Sequence, residues 1–149
     1  MEEESMKRNR RKRVFSIICY IINIIIVFYP WIIVGNTKYN IVQLKRKIET
    51  IGIHTMIKRN GLIVDNPNFV GAMVKVQVVL YFCFILLCLG YIVCVVIGKN
   101  WRLNLVTFYA SIGLMIVNIT GYSIASLCTN TIQGTLFPII TVIITLIEL

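Results

Sequence analysis

Three long stretches of the chain carry no charged side chain, and they limit the possible folds more than any other feature. They are Val14 to Val34, Val76 to Gly98 and Leu103 to Ile147. About 20 uncharged, mostly apolar residues suffice for a helix to cross a hydrocarbon core roughly 30 Å thick. Only 14% of the residues are charged and 58% are hydrophobic. A soluble chain of 149 residues would be too short to cover several such helices, so an integral membrane protein is predicted.

The last stretch is too long for one crossing, and the polar segment "CTNTIQG" (Cys128 to Gly134) divides it. The fold class predicted is an all-α integral membrane protein, a four-helix transmembrane bundle forming one domain over residues 1–149. The spans are expected at about 14–34, 74–98, 103–127 and 134–149, with a basic cytoplasmic tail at 1–13 and a small extracytoplasmic cap at 36–73. "FYPWIIVG" offers no small-residue cleavage site, so the first span is expected to remain as an anchor.

The orientation follows weakly from the basic residues, which are nearly balanced between the two sides. The N-terminal cluster Lys7 to Arg13 directly adjoins the first span, and the first helix usually dominates topology. The connection Cys128 to Gly134 carries no charge, as expected of an outer loop. We therefore expect a multi-pass protein of the cell membrane with both termini in the cytoplasm.

The cap is predicted to begin with a short amphipathic helix. Its apolar side chains recur at helical spacing, and Gly52 is placed to end it; the apolar set is Ile41, Leu44, Ile48 and Ile51. Lys45, Arg46 and Lys47 fall on the other faces, where they can approach anionic lipid headgroups. The helix could lie flat on the headgroups or fold over the outer mouth of the bundle.

Further along, "HTMIKRNGLIVD" places Asn60-Gly61 between two β-prone triplets. This pattern is typical of a β-hairpin, and the alternative is a loop with one turn at Asn60-Gly61.

Small and polar residues at helical spacing predict the faces on which the helices meet. In the second span these are Cys83, Gly90 and Cys94. The polar seam comprises Asn23, Asn104, Thr107, Ser111 and Asn118. Interhelical hydrogen bonds are expected at the three asparagines. A conduction or ligand site is less favoured, since such paths usually use ionisable residues.

No motif in the chain indicates catalysis, a cofactor or a metal. His54 is the single histidine and has no neighbours at metal-ligand spacing. The five cysteines lie in or beside the spans, where they act as small apolar residues. The net charge of +9 is concentrated next to membrane segments, so anionic lipid is a better partner than nucleic acid.

The layout of four spans with a long first outer connection resembles the claudin and peripheral-myelin-protein group. "FYPWIIVGNTKYNIVQL" is also similar to the stretch after the first helix in small bacterial membrane proteins of unassigned function. The first connection has Trp31 but lacks the second tryptophan and the cysteine pair of the claudin pattern. Barrier or pore properties are therefore not carried over.

Two functions follow as hypotheses. The first is a non-enzymatic bacterial membrane protein whose cap and polar helix seams serve protein interaction, as an accessory subunit of a membrane assembly or a toxin-immunity type protein. The second is a homo-oligomeric pore or holin-like permeability protein. The polar seam favours this second hypothesis, and the lack of charged pore residues and of a basic C-terminal tail argues against it.

Overall fold

A computed structural model describes residues 2–61, 66–98, 103–121, 132–134 and 137–148. Most of these residues are helical. The helices are α1 (Glu2–Val27), α2 (Ile41–Ile51), α3 (Ile53–Arg59), α4 (Pro67–Ile97), α5 (Leu103–Ile116) and α6 (Phe137–Ile147). A π-helical turn, Val117–Gly121, continues α5. The strands are β1 (Ile32–Val34), β2 (Thr37–Tyr39) and β3 (Ile132–Gly134).

Helix α4 starts where local chemistry places it. The side chain of Asn66 accepts a hydrogen bond from the Phe69 amide at 3.1 Å, and Pro67 occupies the first helical turn. Proline is favoured there because its missing amide would have no partner. The helix therefore begins before residue 74, and its first two turns belong to the cap, where Val70 and Val74 are buried.

Four helices form a closed ring. Helix α1 packs on α4, α4 on α5, α5 on α6, and α6 on α1. Two side-chain hydrogen bonds give the directions of the helices. The Ser16 hydroxyl, just after the basic turns of α1, donates to the Glu148 carboxylate, which follows the end of α6. The Gln77 amide, early in α4, donates to the Asn118 amide oxygen, which follows the end of α5. Neighbouring helices thus run antiparallel, and the first and last helices bring residues 16 and 148 to the same end of the bundle.

A small three-stranded sheet covers the other end of the bundle. Its order is β2-β1-β3, and both pairings are antiparallel. Strands β1 and β2 form a hairpin whose two-residue turn is Gly35-Asn36, with Gly35 at φ 59°. Glycine enters this left-handed region without steric cost, which the tight turn requires. Strand β3 arrives from the connection between α5 and α6, so both outer connections build one cap.

The amphipathic helix α2 is present over the segment that its apolar stripe predicts. Asn40 and Gln43 form a capping box at its start, and Gly52 ends it at φ 77°. Ile41 and Leu44 are buried, and the helix packs on α3, α4 and β2. Helix α2 thus lies against α4 at the end of the bundle that carries the sheet, and its position relative to lipid headgroups stays a prediction.

One helix in the described part of the chain, Pro67–Ile97, is long and apolar enough to cross a membrane. Leu103–Ile119 and Pro138–Ile147 are apolar but shorter. One such helix in a mostly helical fold is weak evidence of membrane association. The four helices of the ring are therefore not all shown to be membrane spans.

Three structural expectations need correction. Helix α1 ends at Val27 rather than reaching Val34, because the apolar run continues as strand β1. The hairpin expected around Asn60-Gly61 is wrong on its first arm: His54 to Arg59 is helical, and Asn60-Gly61 ends that helix. Its second arm, and residues 122–127 of the third expected span, lie outside the described residues.

The small residues of the second span do not mark a contact face inside the bundle. Cys83 is exposed, and a Cβ added at Gly90 would meet nothing within 4 Å. The interior face of α4 instead carries bulky and polar residues, including Gln77, Tyr81 and Phe84. Large side chains and the buried Cys88 fill the bundle here, whereas Cys83 lies on the outer side and Cys94 is half-buried.

Candidate functional site

The interior of the bundle contains a row of fully buried polar side chains. They are Asn23 from α1, Gln77 from α4, Thr107 and Ser111 from α5, Asn118 from the π-helical turn, and Thr141 and Thr145 from α6. Four of the five predicted seam residues are in this set. The fifth, Asn104, is half-buried at the end of the bundle where residues 16 and 148 meet, and its amide donates to the Glu148 carbonyl at 3.3 Å.

Gln77 joins two helices at the cap end of this interior. Its Nε2 donates to the Asn118 Oδ1 at 2.9 Å and lies 2.8 Å from the Tyr81 hydroxyl. Tyr81 also packs edge-on against Trp31, with ring centroids 4.7 Å apart. The indole nitrogen of Trp31 donates to the Ile26 carbonyl at 2.7 Å. This polar cluster holds α1, α4 and the α5 extension together beneath the sheet.

The hydroxyl groups deeper in the bundle bond mainly to their own helices. Thr107 donates to the Leu103 carbonyl, Ser111 to that of Phe108, and Thr141 to that of Pro138. One contact crosses between helices, with the Ser111 and Thr145 hydroxyls 3.0 Å apart. Such bonds satisfy a hydroxyl without the help of a neighbouring helix.

Asn23 is fully buried, and among the described residues neither its Oδ1 nor its Nδ2 has a hydrogen-bond partner. The predicted interhelical bond at this residue is therefore wrong. The hydroxyl protons of Thr107, Ser111 and Thr141 are donated within their own helices, so they are not donated to the Asn23 Oδ1.

Apolar side chains cover the outside of the same helices. Ile25 on α1 is 53% exposed, Phe82 on α4 63%, Tyr109 on α5 63% and Ile147 on α6 63%. The interior therefore holds buried amides and hydroxyls among apolar side chains, while large apolar side chains also cover the outside, and an extended exposed apolar surface of this kind marks an interaction site or a membrane contact.

The three predicted membrane-surface cations on α2 differ in their surroundings. Lys45 is half-buried and pairs with Glu49 at 3.4 Å. Arg46 is exposed, whereas Lys47 donates to the Tyr39 hydroxyl at 3.1 Å and lies 5.4 Å from the centre of the Tyr39 ring. Arg46 and Lys47 border a groove between β2 and α2, and Lys45 lies on another side of the helix.

Sequence reasoning missed Gln77, Tyr81 and Lys38. Gln77 had a usable signal, because it is a polar residue in an apolar run, at helical spacing from Val70, Val74 and Tyr81. No spacing pattern along the chain indicated Lys38, because its place beside the groove depends on the hairpin.

The remaining candidates form no reactive site in the described part of the chain. His54 is exposed on α3, and Cys19, Cys83, Cys88 and Cys94 are free thiols. Among the described residues there is no group of three or more histidine, cysteine, aspartate or glutamate side chains that could hold a metal ion. Cys128 lies outside them.

No protein family model, curated protein or solved structure matches the chain. Its function therefore has to be inferred from its own residues.

Proposed function

We propose that this protein is a non-enzymatic, multi-pass protein of the bacterial cell membrane whose cap serves protein interaction. The observation that carries this proposal is the distribution of side chains: amides and hydroxyls are buried inside the ring, and isoleucine, phenylalanine and valine are exposed outside. In lipid, apolar side chains prefer the outside, and polar ones hold helices together. The ring α1, α4, α5 and α6 would then be a four-span bundle.

The dimensions support an embedded ring. The charge-free part of α4, Val76–Ile97, is roughly 32 Å long at the rise of an α-helix, close to the thickness of a hydrocarbon core. Helix α6 is much shorter, so the bilayer would thin beside it or the helix would be shielded by a partner. Both termini would be cytoplasmic, with the Lys7 to Arg13 cluster inside.

The cap supports an interaction role because it has a packed core of its own. Trp31, Ile32, Leu44 and Met56 are each at most 1% exposed, and they come from the connection before β1, from β1, from α2 and from α3. A preformed surface loses little conformational freedom on binding, which favours affinity. An accessory subunit of a membrane assembly and a toxin-immunity protein would both use such a surface.

The membrane step is tested by extracting native membranes with alkaline carbonate. An embedded protein stays in the pellet and is released by detergent, whereas release by carbonate alone would contradict the proposal.

The interaction step is tested by affinity purification in mild detergent. The copurifying protein should be lost when the exposed cap residue Val42 is changed to aspartate, and kept when the exposed α4 residue Val79 is changed to alanine. Recovery of the wild-type chain alone, repeatedly, would contradict an interaction role.

A second candidate function is a homo-oligomeric pore or holin-like permeability protein. The exposed Cys83 and the open space beside Gly90 favour it, because small residues let helices of different chains approach closely. Liposomes loaded with ions and dye test it. Leakage that rises with protein load and is abolished by Gly90→Leu would support a pore, and tight liposomes at high load would eliminate it.

A further inference from the structure

A groove of about 430 Å³ lies between strand β2 and helix α2. Lys38 and Tyr39 come from the strand, and Arg46, Lys47 and Ile51 come from the helix. The walls are mainly apolar, and none of the lining residues is acidic. The groove thus combines an apolar surface with a rim that carries three positive charges.

The cations on this rim are available to a ligand. In the described part of the chain, Lys45 is neutralised by Glu49, but Lys38, Arg46 and Lys47 are in no ion pair. Lys47 is held in place by the hydroxyl and ring of Tyr39, which is itself 7% exposed and therefore fixed in the cap core. A positioned ammonium group beside mobile Lys and Arg side chains matches the chemistry of a phosphate.

The start of α2 is hydrogen-bonded to the segment that carries the exposed apolar side chains at the end of α1. The side-chain Nδ2 of Asn40 donates to the backbone carbonyl of Phe28 at 3.3 Å, and Phe28 lies just beyond the end of α1. Phe28 and Tyr29 are more than half exposed and continue the outward apolar row of α1. The basic groove therefore begins at the level where the apolar surface ends, which is the level of phospholipid headgroups in an embedded protein.

We propose that the groove formed by Lys38, Tyr39, Arg46, Lys47 and Ile51 binds the headgroup phosphate of an anionic phospholipid. The inference rests on the membrane embedding proposed above. The two cations of α2 and Lys38 surround the phosphate, while the apolar wall receives the glycerol and the first methylenes of the acyl chains. A lipid fits better than an acidic peptide because the site joins its charges to an exposed apolar surface at one level.

The test reconstitutes the full chain in vesicles of phosphatidylcholine containing phosphatidylglycerol that carries a photoreactive group near its headgroup. Crosslinked peptides are mapped by mass spectrometry. The peptide containing residues 37–51 should be labelled in the wild type. In the variant Arg46→Gln/Lys47→Gln that labelling should fall roughly 30-fold, the loss expected for two basic residues near an anionic surface.

The matched control is Lys58→Gln/Arg59→Gln, which removes the same two residue types from neighbouring positions of the exposed end of α3. Its labelling of residues 37–51 should stay within about twofold of wild type. Equal losses in both variants would mean attraction by general charge and would overturn the site. So would equal labelling by a photoreactive phosphatidylcholine.

Two competitors identify other ligands. If soluble glycerol phosphate blocks labelling as well as unlabelled phosphatidylglycerol does, the site takes free phosphates and the lipid proposal is wrong. If an acidic peptide displaces the lipid and phosphatidylglycerol does not, the groove is a peptide site. Failure of the protein to enter vesicles would instead contradict the membrane embedding, so the two failures are distinguishable.

Discussion

At the scale of single residues, Gln77 and Asn118 form a direct link between α4 and the extension of α5, with the amide nitrogen of one 2.9 Å from the carbonyl oxygen of the other. Replacing Asn118 by leucine removes the acceptor and adds bulk in a fully buried place. We expect a loss of roughly 1–2 kcal/mol in the free energy of unfolding, and a smaller loss for Asn118→Ser. Thermal aggregation in a fixed detergent measures both.

A double-mutant cycle with Gln77→Leu separates this contact from the general effect of substitution. The coupling between the two positions should be about 0.6 to 1.7 kcal/mol. Additive losses, or a leucine variant at position 118 as stable as wild type, would show that the two amides do not support each other.

Asn23 should respond in the opposite direction. Its buried amide has no partner in the described part of the chain, and removing an unsatisfied polar group recovers roughly 1–3 kcal/mol of desolvation free energy. We therefore expect Asn23→Leu to be as stable as wild type or more stable in the same detergent assay. A clear destabilisation would mean that the amide has a bonded partner in the membrane.

These two asparagines show where sequence reasoning stops. Both lie on polar rows at helical spacing, and the sequence predicts that both face other helices. Whether an amide has a hydrogen-bond partner depends on side-chain rotamers and on the register of the neighbouring helix. The spacing of residues along one helix carries no information about either.

At the scale of elements, the hairpin β1–β2 depends on its turn. Gly35 has φ 59°, a region that costs other L-residues roughly 1–2 kcal/mol, whereas asparagine tolerates it better. Gly35→Val should lower thermal stability and expose the cap, and Gly35→Asn should be close to wild type. Limited proteolysis of residues 28–40 reports the difference, and equal protection of both variants would contradict the role of this turn.

The elements differ in how far the sequence predicts them. Helix α2 follows from its apolar stripe and from the glycine that ends it. The strand β1 does not, because the apolar run Ile24 to Val34 contains no periodicity that separates helix from strand. The Gly35-Asn36 pair between two β-prone triplets was the available signal. Strand β3 had none, since its partner lies far away in the chain.

At the scale of the whole molecule, the ring of four antiparallel helices could be predicted because the charge-free runs and the polar break at Cys128 to Gly134 fix the number and order of the helices. Which chain segments form the cap could not be predicted, because the pairing of β1 with β3 joins the α1–α4 connection to the α5–α6 connection. The ring explains why the polar rows meet inside, but the orientation of the proposed membrane bundle has to be predicted from the basic residues.

That orientation gives the last prediction. Position 47 lies on the cap, and position 5 lies in the N-terminal segment before the basic cluster at the opposite end of α1. With the N-terminus inside, an impermeant maleimide added to intact cells should label a single cysteine at position 47 and spare one at position 5. The background replaces the five native cysteines by alanine, and permeabilised cells, in which both positions react, serve as the control.

The reasoning behind this expectation combines charge with packing. The cluster Lys7 to Arg13 lies in the first half of α1, next to its charge-free part, and is expected to resist translocation, whereas Lys45, Arg46 and Lys47 lie in a longer connection that is less decisive for topology. Because both outer connections contribute strands to one sheet, the cap can only be on one side. Labelling at position 5 with protection at position 47 would invert the bundle, place the cap in the cytoplasm, and replace an extracytoplasmic partner by a cytoplasmic one.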